Sequence, residues 1–417
     1  MTNSPANDRF AAFRHRSYVL FFFARLMAAF ATQIISVSVG WQMYDVTKST
    51  LYLGIIGLVQ FLPSLLLILV TGSVADRHNR RAIVAICLGI SALCSAALLV
   101  ITLTGTFSPL PVFAILTIFG IERAFMGPAV SSLSPNLVPT EALPNSFAWN
   151  SSSWQTASII GPVAGGLLYG ISPVAAYATA LVFMLAGAVL VFFIPKPAQR
   201  SSREPTSWAY IVAGFGFISR QKIVLGAISL DLFAVLLGGA TALMPVFAAE
   251  VLTLGPFGLG MLRAAPGVGA IAMALYLAAF PIRSRSGVKM FAGVAVFGLG
   301  TVIFGLSHTT WLSIAALALM GAGDMISVYV RETLIALWTP DQVRGRVNAV
   351  NSVFIGASNE LGEFRAGTMA SLFGAIPAVV IGGIGTLLVS LVWAGAFPQL
   401  RRIDTLEAPS EKEIGAA

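Results

Sequence analysis

Residues 51–81 read LYLGIIGLVQFLPSLLLILVTGSVADRHNRR: an uncharged apolar stretch closed by a short, arginine-rich turn. A hydrocarbon core about 30 Å thick takes about 20 helical residues to cross at 1.5 Å each. Residues 51–71 meet that length, and Arg77, Arg80 and Arg81 then hold the turn among lipid headgroups. Working outward, apolar runs of the same order recur at 17–41, 82–104, 110–133, 145–170, 172–195, 222–248, 256–281, 288–307, 310–335, 345–372 and 375–397. With 51–71, they predict twelve transmembrane helices in an all-α membrane protein.

The basic residues mark alternate loops. Arg9, Arg14 and Arg16 precede the first span, and Lys196, Arg200, Arg203, Arg220 and Lys222 follow the sixth. Arg283, Arg285 and Lys289 follow the eighth, Arg344 and Arg346 the tenth, and Arg401 and Arg402 the last. The opposite loops hold essentially one basic residue, Lys48. Lysine and arginine in short loops stay in the cytoplasm, so both termini are expected there. A mean hydropathy of +0.86 with 10% charged residues lies far from soluble composition, where about a quarter are charged. The net charge of +8 belongs to membrane edges and needs no nucleic acid partner. Arg25 interrupts the first apolar run, which continues to Trp41, so it reads as a retained helix rather than a cleaved signal.

The long polar break near 196–221 separates six spans from six. The expected organisation is a six-helix bundle over 1–195, a cytoplasmic linker over 196–221, a second bundle over 222–397 and a cytoplasmic tail over 398–417. Within the linker, Trp208, Ile211, Val212, Phe215 and Ile218 recur at helical spacing between basic residues, a pattern suited to a short interfacial helix. The alternative is an extended connection. The two halves repeat at an offset of 201: Ala148-Trp149-Asn150-Ser151 matches Ala349-Val350-Asn351-Ser352, and Gly120, Pro139, Gly161 and Gly166 match Gly321, Pro340, Gly362 and Gly367. Two repeated six-helix bundles put a substrate path at their interface.

Three local motifs carry a family resemblance. Gly72-Ser73-Val74-Ala75-Asp76-Arg77-His78-Asn79-Arg80-Arg81 resembles the G-x-L-A-D-R-x-G-R-K loop of the major facilitator superfamily, with Val74 and Asn79 as departures. Arg123 with Gly127 resembles the fourth-helix R-x-x-Q-G motif of proton-coupled exporters, with Met126 at the Gln position. Gly161-Pro162-Val163-Ala164-Gly165-Gly166 resembles the antiporter motif, with Ala157 at its first glycine. Phe13-x-x-x-Ser17-Tyr18, Val46-Thr47-x-Ser49 and Gly345-Arg346-Val347-Asn348 are most similar to the enterobactin-exporter-like group. The resemblance implies two pseudo-symmetric bundles in a bacterial inner membrane and alternating access coupled to protons; the sequence does not fix the oligomeric state, for which a monomer is the expectation. It also implies that Gly72, Asp76, Arg77, Arg80 and Arg81 gate the cytoplasmic side, and that Gly161, Pro162, Gly165 and Gly166 take part in helix packing or conformational exchange. The second copy of the loop keeps Arg285-Ser286-Gly287-Val288-Lys289 but has no acid before it, and Glu363 replaces the proline equivalent to Pro162.

Charges inside spans are costly and mark cavities or partners. Glu122, Arg123 and Asp324 stand near the middle of equivalent spans, while Asp231 lies about 13 Å into the seventh. Arg25 is intermediate in depth; Arg331 and Glu332 are near enough to a span end to snorkel. On the eleventh span Asn348, Asn351, Asn359 and Glu363 share an arc of about 120°, with Glu360 at its margin. This stripe is either a hydrogen-bonding seam or one wall of an aqueous path. Glu122 and Asp324 rank first as proton carriers because neither can snorkel; Asp231, Glu360 and Glu363 follow, and Arg123 is the cation expected to bias coupling. No P-loop, metal-ligand spacing or catalytic constellation is present, and Cys87 and Cys94 lie too far apart on a helix to bridge. No cofactor or metal is therefore expected. The reading that fits is a secondary transporter exporting a small amphiphilic molecule, drug-like or siderophore-like. Its alternatives are uptake or flipping of a lysolipid or metabolite and, more remotely, a membrane-embedded enzyme or receptor. A cysteine placed at Ser201 should resist an impermeant thiol reagent in intact cells and react after permeabilisation; labelling from outside would overturn the topology.

Overall fold

The computed structural model describes residues 9–195 and 208–407, apart from the side chains at 68, 69, 76 and 208–211. Residues 196–207 of the expected linker and the tail beyond 407 lie outside the described residues. The chain is an all-helical membrane protein. The first half carries α1 (Arg16–Thr47), α2 (Thr50–Arg77), α3 (Arg80–Leu103), α4 (Pro109–Leu133), α5 (Leu143–Ile171) and α6 (Pro173–Phe192). After α7 (Trp208–Arg220) come α8 (Lys222–Gly238), the three-residue α9 (Met244–Val246), α10 (Gly255–Ala279) and α11 (Ser286–Leu306). The remainder is α12 (Thr310–Trp338), α13 (Asp341–Phe373), α14 (Ala375–Ala396) and a terminal turn, α15 (Pro398–Arg401). Among the described residues, ten segments are long and apolar enough to cross a membrane. The other two predicted spans are α5 and α13, long enough at 29 and 33 residues but richer in Asn, Ser and Glu.

Local chemistry explains the helix ends. The Asn79 side chain accepts from the Arg81 N–H at 3.1 Å and opens α3. Ser172 accepts from the Val174 N–H at 3.2 Å, with Pro173 behind it, so α5 stops and α6 starts within two residues. The predicted seventh span is not one continuous helix. Gly238-Gly239 ends α8, Gly239 being non-helical, and the chain resumes through a 3₁₀ turn at Thr241–Leu243, α9 and a π-helical turn at Phe247–Val251. Glycine entropy and Pro245, which lacks an N–H, make this the weak point of the apolar run.

The chain divides into two compact units. Among the described residues, the first holds 9–47, 59–195 and 255–260; the second holds 48–58, 208–254 and 261–407. Within the first unit α1 packs on α5 and α6, α3 on α4 and α6, and α5 on α6. Within the second, α8 packs on α13 and α14, α11 on α12 and α14, and α13 on α14. Each pairing of the first set has its counterpart in the second, so the 201-residue repeat is also a repeat of helix neighbours. In the second unit α7 lies on α13, burying Ile218 among Val224, Ile228, Val347 and Val350 and leaving Val212 and Phe215 exposed.

Close helix approach depends on glycine at repeated positions. A Cβ on Gly120 of α4 would strike the Gln60 backbone of α2, where the Ser64 hydroxyl also donates to the Gly120 carbonyl at 3.0 Å. Its counterpart Gly321 on α12 abuts the Pro266 carbonyl of α10 in the same way. Gly127, by contrast, faces open space. Gly321→Leu should therefore destabilise the purified protein by about 1–3 kcal/mol or more through overpacking, read as a fall in its thermal midpoint in detergent. Gly127→Ala should leave that midpoint unchanged.

Candidate functional site

The first unit contains a cleft of about 480 Å³ lined by α1, α4 and α5. Arg25 comes from α1; Val130, Ser131 and Ser134 come from the end of α4 and its following turn; Phe147, Asn150, Ser151, Trp154 and Gln155 come from α5. The α5 positions repeat at intervals of three and four, so one face of the helix supplies them. That face exists because α5 carries the run Asn150-Ser151-Ser152-Ser153-Trp154-Gln155 inside an otherwise apolar span. The run was the available sequence signal for this wall, which charge-based reasoning passed over.

A fixed polar network stands beside the cleft. The Tyr18 hydroxyl donates to the Ser146 carbonyl at 3.0 Å and meets Asn150 Oδ1 at 3.4 Å. Asn150 Nδ2 in turn donates to Ser134 Oγ at 2.9 Å. Phe13, Phe22 and Trp149 pack edge to face behind Tyr18 and hold the start of α1 against α5. Arg25, half-buried in the cleft, has no carboxylate within ion-pair distance among the described residues. The Trp154 and Phe147 rings are about half exposed, at 47% and 51%.

The other charges predicted at depth are placed differently. Glu122 is buried on α4, hydrogen-bonded to Ser91 of α3, with the Cys87 thiol 3.8 Å from its backbone carbonyl. Arg123, the next residue, is exposed on another face of α4. In the second unit Asp231 of α8 forms an ion pair with Arg331 of α12, which lies 3.5 Å from Glu332. Asn351 of α13 closes the set, its Nδ2 donating to Glu332 at 3.2 Å. Arg331 therefore does not snorkel: only 3% exposed, it turns inward because Asp231 offers a counter-charge. Asp324 stands half-buried at the middle of α12, and among the described residues no donor or cation engages its carboxylate.

The polar stripe of α13 splits by partner. Asn351 is interhelical, whereas Asn348 is exposed and Asn359, also exposed, returns its Nδ2 to the Ile355 carbonyl of its own helix at 2.8 Å. Glu360 and Glu363 both reach toward Gly57, where a Cβ would meet their Oε2 atoms at 3.0 and 3.1 Å. Arg263 of α10 interacts electrostatically with Glu363. In the first unit the motif on α5 meets two helices. Gly161 and Gly165 admit Gln33 and Ile34 of α1, and Gly166 admits Pro256 and Gly260 of α10.

The loop after α2 is built on carbonyl capping. Arg80, buried, donates from Nε to Ala75 and from Nη1 to Ser132, both at 3.2 Å, joining the ends of α2 and α4. Arg81 donates to the Ile194 carbonyl beyond α6 and lies over the Phe192 ring. Arg77 is exposed, Gly72 is half-buried, and the Asp76 side chain is outside the described set.

Twelve spans in two repeated bundles, with charges collected at depth, define a polytopic transporter. Residues 7–415 match the model of the transmembrane secretion effector family, and the chain belongs to that family of the major facilitator superfamily. It is similar to the enterobactin exporter EntS of Citrobacter koseri, 24% identical over 408 residues that cover 93% of each protein. The EntS of Shigella boydii serotype 18 is 23% identical over 406 residues, again 93% of each. Among solved structures, an inward-facing, occupied bacterial homologue of the human lysosomal transporter Spinster superposes with a TM-score of 0.76 at 14% identity, over 93% of this chain and 98% of that one. A bacterial homologue of the iron transporter ferroportin gives 0.72 at 17% identity, over 93% and 99%. These relatives are transporters, and the chain is a transporter rather than an enzyme.

The buried Asp231–Arg331 pair lends itself to a double-mutant test. Asp231→Leu alone should cost about 3–5 kcal/mol, because it strands a buried guanidinium. Adding Arg331→Met should recover most of that loss, measured by thermal unfolding in detergent.

Proposed function

We propose that the protein is a secondary active exporter that carries a small amphiphilic organic molecule out of the cytoplasm by alternating access, driven by proton entry. The observation that carries this reading is the cleft of the first unit, lined by polar side chains with Val130, Phe147 and Trp154 as its apolar part, a small-molecule volume in a chain of a secretion family. The resemblance to enterobactin exporters supports outward movement. The basic loops support cytoplasmic termini, with the 196–221 connection on the same side, in a bacterial inner membrane. The protein acts as a monomer, with Asp76, Arg77 and Arg80 at the cytoplasmic gate.

Proton coupling needs an acid that can gain and lose a proton as water access changes sides. Asp324 suits this role best, because no partner in the described structure holds it in one charge state. Glu122 is the second carrier, buried on α4 against Ser91 with Arg123 next to it in sequence. Asp231 is committed to Arg331 and serves structure first. In proteoliposomes, Asp324→Asn should abolish export driven by a pH gradient while sparing downhill exchange, and Glu122→Gln should weaken the gradient-driven mode. Full gradient-driven transport in both variants would remove these residues from the coupling and move attention to Glu360 and Glu363. Comparing accumulation of a compound panel in cells with and without the gene tests direction: lower accumulation with the gene supports export, and higher accumulation overturns it.

A further inference from the structure

We infer that the first-unit cleft selects organic anions, with Arg25 as the residue that engages the negative group and Trp154 and Phe147 as the platform for its apolar body. The inference rests on the exporter reading and names its substrate class. An arginine placed inside an apolar span is costly unless it is paired or faces a cavity. Other buried arginines are committed to the protein itself or face no cleft: Arg331 meets Asp231, Arg263 meets Glu363, Arg80 donates to carbonyls, and Arg365 of α13 reaches the Met369 sulfur. Arg25 differs. It lines a cleft with no acidic residue among its lining, and no carboxylate pairs with it in the described structure.

The remaining lining supplies the rest of an anion site. Asn150 is committed to Tyr18 and Ser134, which leaves the hydroxyl of Ser131 and the amide of Gln155 to share a ligand's oxygens with the guanidinium. A guanidinium presents several N–H groups in a planar fork suited to carboxylate-like groups. The exposed aromatic faces beside it accept a ring or other flat apolar body. A cationic substrate would face Arg25 with no acid to offset it, and a neutral one would leave its charge unused.

The test uses the full-length protein in nanodiscs and two probes of nearly identical shape, 1-naphthoate and 1-naphthamide. Tritiated 1-naphthoate binding is measured by scintillation proximity and competed with each unlabelled compound. A charge-assisted contact at this site predicts that naphthoate competes about tenfold better or more. Arg25→Gln should remove that preference, Arg25→Lys should keep part of it, and Trp154→Ala should weaken both compounds together. Equal competition in the wild type, failure of the wild type to bind naphthoate at millimolar concentration, or an undiminished preference in a well-folded Arg25→Gln protein would each overturn the inference. The wild-type comparison stands even where a variant fails to fold. Gene-dependent export of neutral or cationic compounds with no anion preference would overturn the substrate class and leave the exporter reading in place.

Discussion

In a bilayer, water is not available to solvate a buried charge, so each ionisable group must find a partner, a cavity or the surface. This constraint orders the interior of the protein. Asp231 and Arg331 neutralise one another, and Asn351 steadies Glu332 beside them. Glu122 takes the hydroxyl of Ser91. Arg80 and Arg81 spend their donors on carbonyls left open at helix ends, tying three helices at one end of the first unit. Among the described residues, the Asp324 carboxylate on α12 and the Arg25 guanidinium on α1 stand out against this background, each without an ion-pair partner.

The second constraint is distance. Lipid chains are as apolar as leucine, so helices in a membrane associate through close packing rather than hydrophobic burial. Gly120 and Gly321 supply it at equivalent points, each admitting the backbone of a neighbouring helix. The same logic holds for α5 against α1, where Gly161 and Gly165 admit Gln33 and Ile34. In the second unit Gly362 of α13 likewise admits Val235 and Leu236 of α8, so the α1–α5 pairing and its α8–α13 counterpart both rest on a glycine at the repeated position.

Much of this was legible in the sequence because the signals are one-dimensional. Apolar length fixed the spans, and the 201-residue offset announced the repeat. The two polar spans, α5 and α13, read as apolar runs of spanning length even though their Asn, Ser and Glu content dilutes hydropathy. What sequence could not resolve depends on which face a side chain takes. Arg331 read as a snorkelling residue because depth was counted along the helix, whereas Asp231 lies across from it on another helix. The α13 stripe read as one surface, yet its members point to Glu332, to their own backbone and to Gly57. The break after Gly238 was hidden by continuous apolar residues on both sides.

The exchange of Pro162 for Glu363 at equivalent places in the repeat has an evolutionary consequence. In the first half, Pro162 and Val163 give Gly260 a purely backbone neighbour; in the second, Gly57 meets carboxylates instead. Once a gene had fused with its own duplicate, one copy could keep the inherited joint while the other was released to acquire acids. Most of the deep acids (Asp231, Asp324, Glu360 and Glu363) lie in the second half, while the first keeps Glu122, Arg25 and a cleft lined by no acid. Descendants of such a fusion could alter the lining of one half under selection for new cargo while leaving the ionisable set of the other untouched. A modular inheritance of this kind would let one ancestral frame diversify in cargo without reinventing its energetics.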